Sequence, residues 1–181
     1  MIRRAGLTLL TAGALALTAA TGASAAPQQA PSKHASGIAA VREATQSYQN
    51  LQRAENAGYE LFTDAKGIAC IDMPGMGGMG VHFVKSALVG DPSESIRHPE
   101  ALVYRIDKNG MLRLAAVEYV VLAEAWKAKH PHTAPKLFGH EFMFTKSGNR
   151  YGLPAYYSLH AWAWYDNPAG MFAPFNPRVT C

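Results

Sequence analysis

Charge is scarce in this 181-residue chain: Asp, Glu, Lys and Arg together make up 17% of it and form no block of one sign. Arg3 and Arg4 account for half of the formal net charge of +4. What remains has no basic stripe to hold a phosphate backbone, so nucleic acid is not expected as a partner. Long apolar runs are missing too. The stretch 7–17 is shorter than the ~20 residues a membrane-spanning helix needs, and no later stretch approaches that length, so no membrane span is expected. Gly75, Gly77 and Gly80 have Gly-x-Gly-x-x-Gly spacing, but they lead into the strand-like run Val81-His82-Phe83-Val84 rather than a helix, and no Gly-Lys-Ser/Thr ending occurs, so no nucleotide is expected there. No Gly-x-Ser-x-Gly elbow is present to expose a serine nucleophile, and no internal repeat is found. Cysteine is confined to Cys70 and Cys181, neither in a setting that suggests a nucleophile.

What is present begins with a three-part pattern: the basic pair Arg3-Arg4, the apolar run 7–17 and the small-residue stretch 21–26. This is the layout of a cleavable secretory signal. A cut after Ala25 satisfies the small-x-small rule through Ala23 and Ala25, whereas a cut after Ala26 would leave Pro27 directly behind it. Residues 1–25 are therefore expected to be removed and the protein to be secreted or periplasmic. The arginine pair lacks a Phe-Leu-Lys-like continuation, which favours the Sec route over the twin-arginine (Tat) one, and the cut has no cysteine for a lipid anchor. In an oxidising compartment the two cysteines read as a Cys70–Cys181 disulfide. Closing so long a loop is worth ~4–5 kcal/mol in the chain-entropy account.

Residues 26–35 show no apolar periodicity and read as a disordered leader, followed by a single domain over 36–181. Ser36 is placed to cap a helix in which Ile38, Val41, Thr45, Tyr48 and Leu51 recur at helical spacing as far as Gly58. Short strands are then predicted over 67–71, 81–89, 101–107, 112–122, 138–145 and 155–164, with a short helix over 123–129. The hairpin at Asp107-Lys108-Asn109-Gly110-Met111 pairs Ile106 with Leu112, Tyr104 with Leu114 and Leu102 with Ala116. The expected fold class is α+β, an amphipathic helix packed on a curved, mainly antiparallel sheet of about six strands, as a cone or roll or alternatively a small β-barrel. Either shape offers a pocket at its open end.

Alternation along Leu112, Leu114, Ala116, Glu118, Val120 and Leu122 places the Glu118 carboxylate on the inward side. A buried carboxylate needs a metal, an Arg or a hydroxyl, since leaving it alone costs several kcal/mol; a structural pair with Arg150 or Tyr157 is the plain alternative. His160 shares its strand face with Tyr156, Trp162 and Trp164, an aromatic wall suited to a ligand pocket and equally to a core. His82 opens a strand behind a glycine-rich segment. His82, Glu118 and His160 together are two imidazoles and a carboxylate, the ligand set of a facial metal site with open positions, and His140 is a candidate fourth ligand. Met73, Met76 and Met79 precede His82, and thioether sulfur is a soft ligand that suits copper outside the cytoplasm, although such a loop can equally cover an apolar pocket. Three readings follow. One is an exported protein acting on a small organic ligand through a divalent metal, with Glu118 as base. The others are a non-catalytic module binding a small apolar or sugar-like molecule, and a copper carrier. No feature of the sequence specifies an oligomeric state.

Overall fold

The computed structural model describes residues 33–181; the expected signal peptide, 1–25, and residues 26–32 of the expected leader lie outside the described residues. The described chain opens with α1 (Lys33–Thr45), a 3-10 turn (Gln46–Gln49) and α2 (Leu51–Asn56). This corrects the single helix expected up to Gly58. The helix starts ahead of Ser36, which lies in its first turn rather than capping it. Continuity is lost at Asn50, whose extended backbone ends the 3-10 turn and whose side-chain oxygen accepts the Arg53 N–H, so that Asn50 caps a new helix. The apolar spacing nevertheless marked the buried side, since Ile38 and Val41 both join the core. Gly58, at φ +88°, ends the helical region in the left-handed conformation.

The strands follow as β1 (Glu60–Leu61), β2 (Cys70–Met73), β3 (Gly77–Val84), β4 (Ala101–Ile106) and β5 (Leu112–Leu122), with a helical turn, α3 (Ser86–Val89), after β3. After β5 come α4 (Ala123–Lys129), the small ladder β6 (Lys136–Leu137) and β7 (His140–Glu141), then β8 (Met143–Thr145) and β9 (Tyr156–Ala161). Seven strands form one antiparallel sheet in the order β1-β3-β4-β5-β9-β8, with β2 paired to the other half of β3. The fold is α+β. The strand expected over 138–145 is interrupted because Phe138 and Gly139 take φ of +52° and +78°, a two-residue turn that ends β6 and sends β7 back along it.

The β4–β5 hairpin closes as the sequence implies. Gly110 has φ +75°, and the Asp107 carboxylate accepts the Asn109 and Met111 N–H groups. Ile106 pairs with Leu112 and Tyr104 with Leu114, but Ala115 is then an extra residue, so Val103 faces Ala116 and Leu102 faces Val117. This bulge corrects both the expected Leu102–Ala116 pair and the assignment of Leu112 to Leu122 to one face. Leu114 belongs with Val117, Tyr119 and Val121 in the main core, against Ile38, Val41 and Trp126. Ala116 and Glu118 turn to the opposite side. The freed Ala115 carbonyl accepts the N–H groups of both Trp164 and Tyr165.

Part of that opposite face is covered by the C-terminal segment. Val179 packs on Val103, Ala115, Ala116 and Trp162 as a second, smaller core. The segment runs along the start of β3: Gly78 N–H donates to the Val179 carbonyl at 2.8 Å, and Asn176 N–H to the Gly78 carbonyl at 3.0 Å. Gly77, at φ +85°, has no room for a side chain, since a Cβ there would lie 2.1 Å from the Asn176 carbonyl oxygen. Close packing likewise excludes a side chain at Gly78 and Gly80, while Gly75 takes φ +79° in the turn, and the stretch forms a hairpin of β2 and β3 rather than a loop. Cys70 and Cys181 are joined by a disulfide across 111 positions of sequence, which fixes the end of the segment to β2. Replacing both cysteines by serine is expected to lower the free energy of unfolding by about 4 kcal/mol in urea titrations. Gly77→Ala, with the disulfide intact, should cost more than about 1 kcal/mol by the same measurement.

Candidate metal centre

Three strands deliver the central side chains. Glu118 on β5 stands directly across from His160 on β9, and His82 lies on β3 with β4 between it and β5. Strands two apart are separated by about 9–10 Å, so such side chains meet only over small intervening residues. Here β4 presents Val103 opposite His82 and Ala101 opposite Glu118. The imidazole and the carboxylate reach each other above them.

The resulting triangle is tight. His82 Nε2 is 3.2 Å from His160 Nε2 and 3.3 Å from Glu118 Oε2, while His160 Nδ1 is 3.3 Å from Glu118 Oε1. One ligand atom from each of the three residues falls within a common span of 4.8 Å, an arrangement that can hold a metal ion. Two ligands bound at zinc-like lengths of ~2.0–2.1 Å and at the tetrahedral angle would stand about 3.3–3.4 Å apart, close to the separations of His82 Nε2 from His160 Nε2 and from Glu118 Oε2, while the third contact uses the other nitrogen of His160. The carboxylate beside Nδ1 of His160 favours a proton there and leaves the Nε2 lone pair directed at His82.

Burial and charge act on the three groups in opposite directions. Burial pushes the Glu118 carboxyl up, but the charges of His160 and His82, with hydrogen bonds from His82 and Ser158, outweigh it and bring the pKa down to about 2. Burial holds His160 down to about 4 despite the neighbouring carboxylate. An ionised carboxylate and a neutral imidazole are the forms in which these groups ligate metals. Side-chain exposure falls from 12% at Glu118 and 11% at His82 to 2% at His160.

All three line a cavity of about 760 Å³, a size typical of small-molecule sites. Of the expected aromatic wall, Tyr156 lines it and the two tryptophans do not. Trp162 is buried beneath, its ring 6.2 Å from that of His160 and its Nε1–H donated to the Ala173 carbonyl. Trp164 donates to Thr45 Oγ1 on the helical side. Both lie beyond the end of β9 at Ala161, where strand alternation no longer applies. The rings that do line the cavity with Tyr156 are Phe62, Tyr151 and Phe175. His140 is not part of the triangle: it is exposed on β7, with its ring 4.3 Å from Phe172. Met73 and Met79 line the cavity, and Met79 Sδ accepts the Tyr151 hydroxyl at 3.8 Å. Met76, 46% exposed, sits in the turn between β2 and β3, so the hairpin spreads the three sulfurs from tip to wall.

Arg150 is not the partner of Glu118. It lies 2.8 Å from Asp64, whose other carboxylate oxygen accepts the Lys66 and Ile68 N–H groups, and the pair anchors the loop that carries Tyr151. Nor is Tyr157, which belongs to the main core. Ser158 was recoverable from the sequence, since it is two residues before His160 on a strand and therefore shares its face. Tyr151 was not, because its loop carries no periodicity. The chain matches no family model, no curated protein and no solved structure.

Glu100 is a further buried carboxylate outside the cavity, and unlike Asp64 it has no ion-pair partner among the described residues. It is 3% exposed and immediately before β4, it accepts the Val120 N–H, and burial raises its pKa to about 8. The folded state therefore keeps a proton that the unfolded chain has released between about pH 4.5 and 8. That contribution to stability is present below about pH 4.5 and lost as pH rises through about 8. Urea midpoints measured across this range should fall with pH in the native protein, and Glu100→Gln should flatten this part of the dependence.

Proposed function

We propose that this is an exported protein which binds one divalent metal ion through His82, Glu118 and His160. The ion is presented to a small organic molecule held in the adjoining cavity, with Glu118 as both ligand and nearest base. The observation that carries this reading is the cluster itself: one ligand atom from each of two imidazoles and a carboxylate within a common span of 4.8 Å, facing a cavity that leaves further positions open. A bound ion would supply Lewis-acid polarisation at those positions. A sheet curved as a cone or roll around the cavity belongs to the same proposal, supported by lining residues from edge strands β1, β2 and β8 as well as from β3, β5 and β9. Export is supported by the Cys70–Cys181 disulfide, and no described helix is long and apolar enough to cross a membrane.

Zinc titrated into metal-stripped protein should bind one to one by calorimetry. His160→Ala and Glu118→Gln should weaken binding by more than about 100-fold, beyond what loss of an outer partner costs. Met76→Leu should leave it unchanged, which separates this centre from a methionine copper site. Protein purified from its natural compartment without metal, together with no heat on zinc addition, would defeat the proposal.

One observation favours a second, metal-free reading. Every buried side-chain nitrogen and oxygen among the described residues has a hydrogen-bond partner with no ion present. Under that reading Glu118 orients His160 and would stabilise the charge the imidazole gains on taking up a proton, and the imidazole acts on or simply holds the ligand. Ligand binding would then be independent of chelators and lost in His160→Ala.

A further inference from the structure

Polarity is distributed unevenly over the cavity wall. His82, Glu118, Ser158 and His160 are buried and adjacent, whereas Glu60 and Asp72 are exposed and therefore lie at the mouth. Most of the remaining lining is hydrocarbon and ring, from Ile71, Val120, Leu122, Leu153 and Phe175 among others, with Ser86, Thr145 and Asn149 as polar exceptions, the Asn149 amide being held by backbone groups of its own loop. Arg150 also contributes to the lining but is bound by Asp64, so its guanidinium is already neutralised. A ligand that fills this space must be apolar along its length and polar at its inner end.

The charge at the floor decides what that end is. Imidazoles ligate through a lone pair and bring no charge of their own, so with the Glu118 carboxylate they leave a bound divalent ion with a single net positive charge. A net positive charge at the bottom of an apolar cavity is costly unless an anion accompanies it. We infer that the cavity takes one long apolar molecule ending in a carboxylate, whose carboxylate completes the coordination of an ion on His82, Glu118 and His160. This rests on the metal reading above and goes beyond it in naming the ligand class. The ion is then the selector: with it the floor attracts a carboxylate, and without it Glu118 repels one.

Calorimetric titration of octanoate, decanoate, dodecanoate and dodecanol into zinc-loaded and zinc-free protein tests this directly. Dodecanoate is expected to bind one to one only when zinc is present, at least tenfold more tightly than dodecanol. Affinity should rise roughly three- to fourfold for each added methylene, the ratio that ~0.8 kcal/mol per buried CH2 implies. Val120→Phe, which fills the wall above the site, should keep zinc binding and lose at least tenfold in dodecanoate affinity. Zinc uptake with no preference for dodecanoate over dodecanol, or equal dodecanoate binding without zinc, would overturn the ligand class and leave the metal centre standing. Failure to take up zinc at all would overturn both.

Discussion

A β-sheet has two faces, and a sheet whose central strands are apolar on both must find two covers. The helices supply one, through Ile38, Val41 and Trp126 against Phe83, Leu102 and Tyr119. The other cover is irregular chain, and it is incomplete. The C-terminal segment lies on Val103, Ala116 and Trp162 and along the start of β3, and only Pro174 and Phe175 reach the cavity wall. The remaining part of that face, bearing His82, Glu118 and His160, opens onto the cavity instead. The site therefore exists because the second layer stops short, and the polar residues sit where hydrocarbon would otherwise be left exposed.

Parts of this arrangement are written in local sequence and parts are not. The Asp107–Met111 turn was legible because its chemistry is confined to five neighbouring residues: a carboxylate that accepts two backbone donors and a glycine free to take positive φ. The short helix α4 was legible for the same reason, with strand residues before it and proline after it. Glu118 was placed inward by an alternation that the Ala115 bulge in fact interrupts. Its inward position stands because both faces of the sheet are covered, so a shift of phase moves the carboxylate from one interior to another. The bulge is fixed by Trp164 and Tyr165, some fifty residues away, and no local pattern reports such a partner. Trp162 and Trp164 were assigned to the cavity by continuing the alternation of β9 past the point where its ladder ends.

The glycine-rich segment shows the same limit from the other side. Its composition suggests flexibility, and flexibility suggests a metal loop or a lid. The structure gives three of its four glycines a close neighbour instead: Asn176 at Gly77, Val179 at Gly78, and Val103 and the Tyr104 carbonyl at Gly80, which has φ +91°; Gly75, at φ +79°, serves the turn. Methionines fall between these contacts and face outward or into the cavity. The cluster of His82, Glu118 and His160 was accessible as a set because a carboxylate and two imidazoles on separate strands are few enough to enumerate. Their convergence was not accessible, since it depends on small residues in β4 that carry no chemistry of their own.

The contact between the C-terminal segment and β3 also bears on the order in which the molecule acquires its parts. Strands β4 and β5 meet through the 107–111 turn and β3 and β4 through residues 85–100, whereas Gly78 and Val179 are separated by most of the described chain and must close a much larger loop before they gain anything. Assembly of the sheet on its helices is thus the fast, local event, and seating of the last residues is the slow, distant one. Until it happens, Trp162 and the backs of β4 and β5 face water. The layer that bounds the cavity is the last to be put in place, so the capacity to bind is acquired after the capacity to fold.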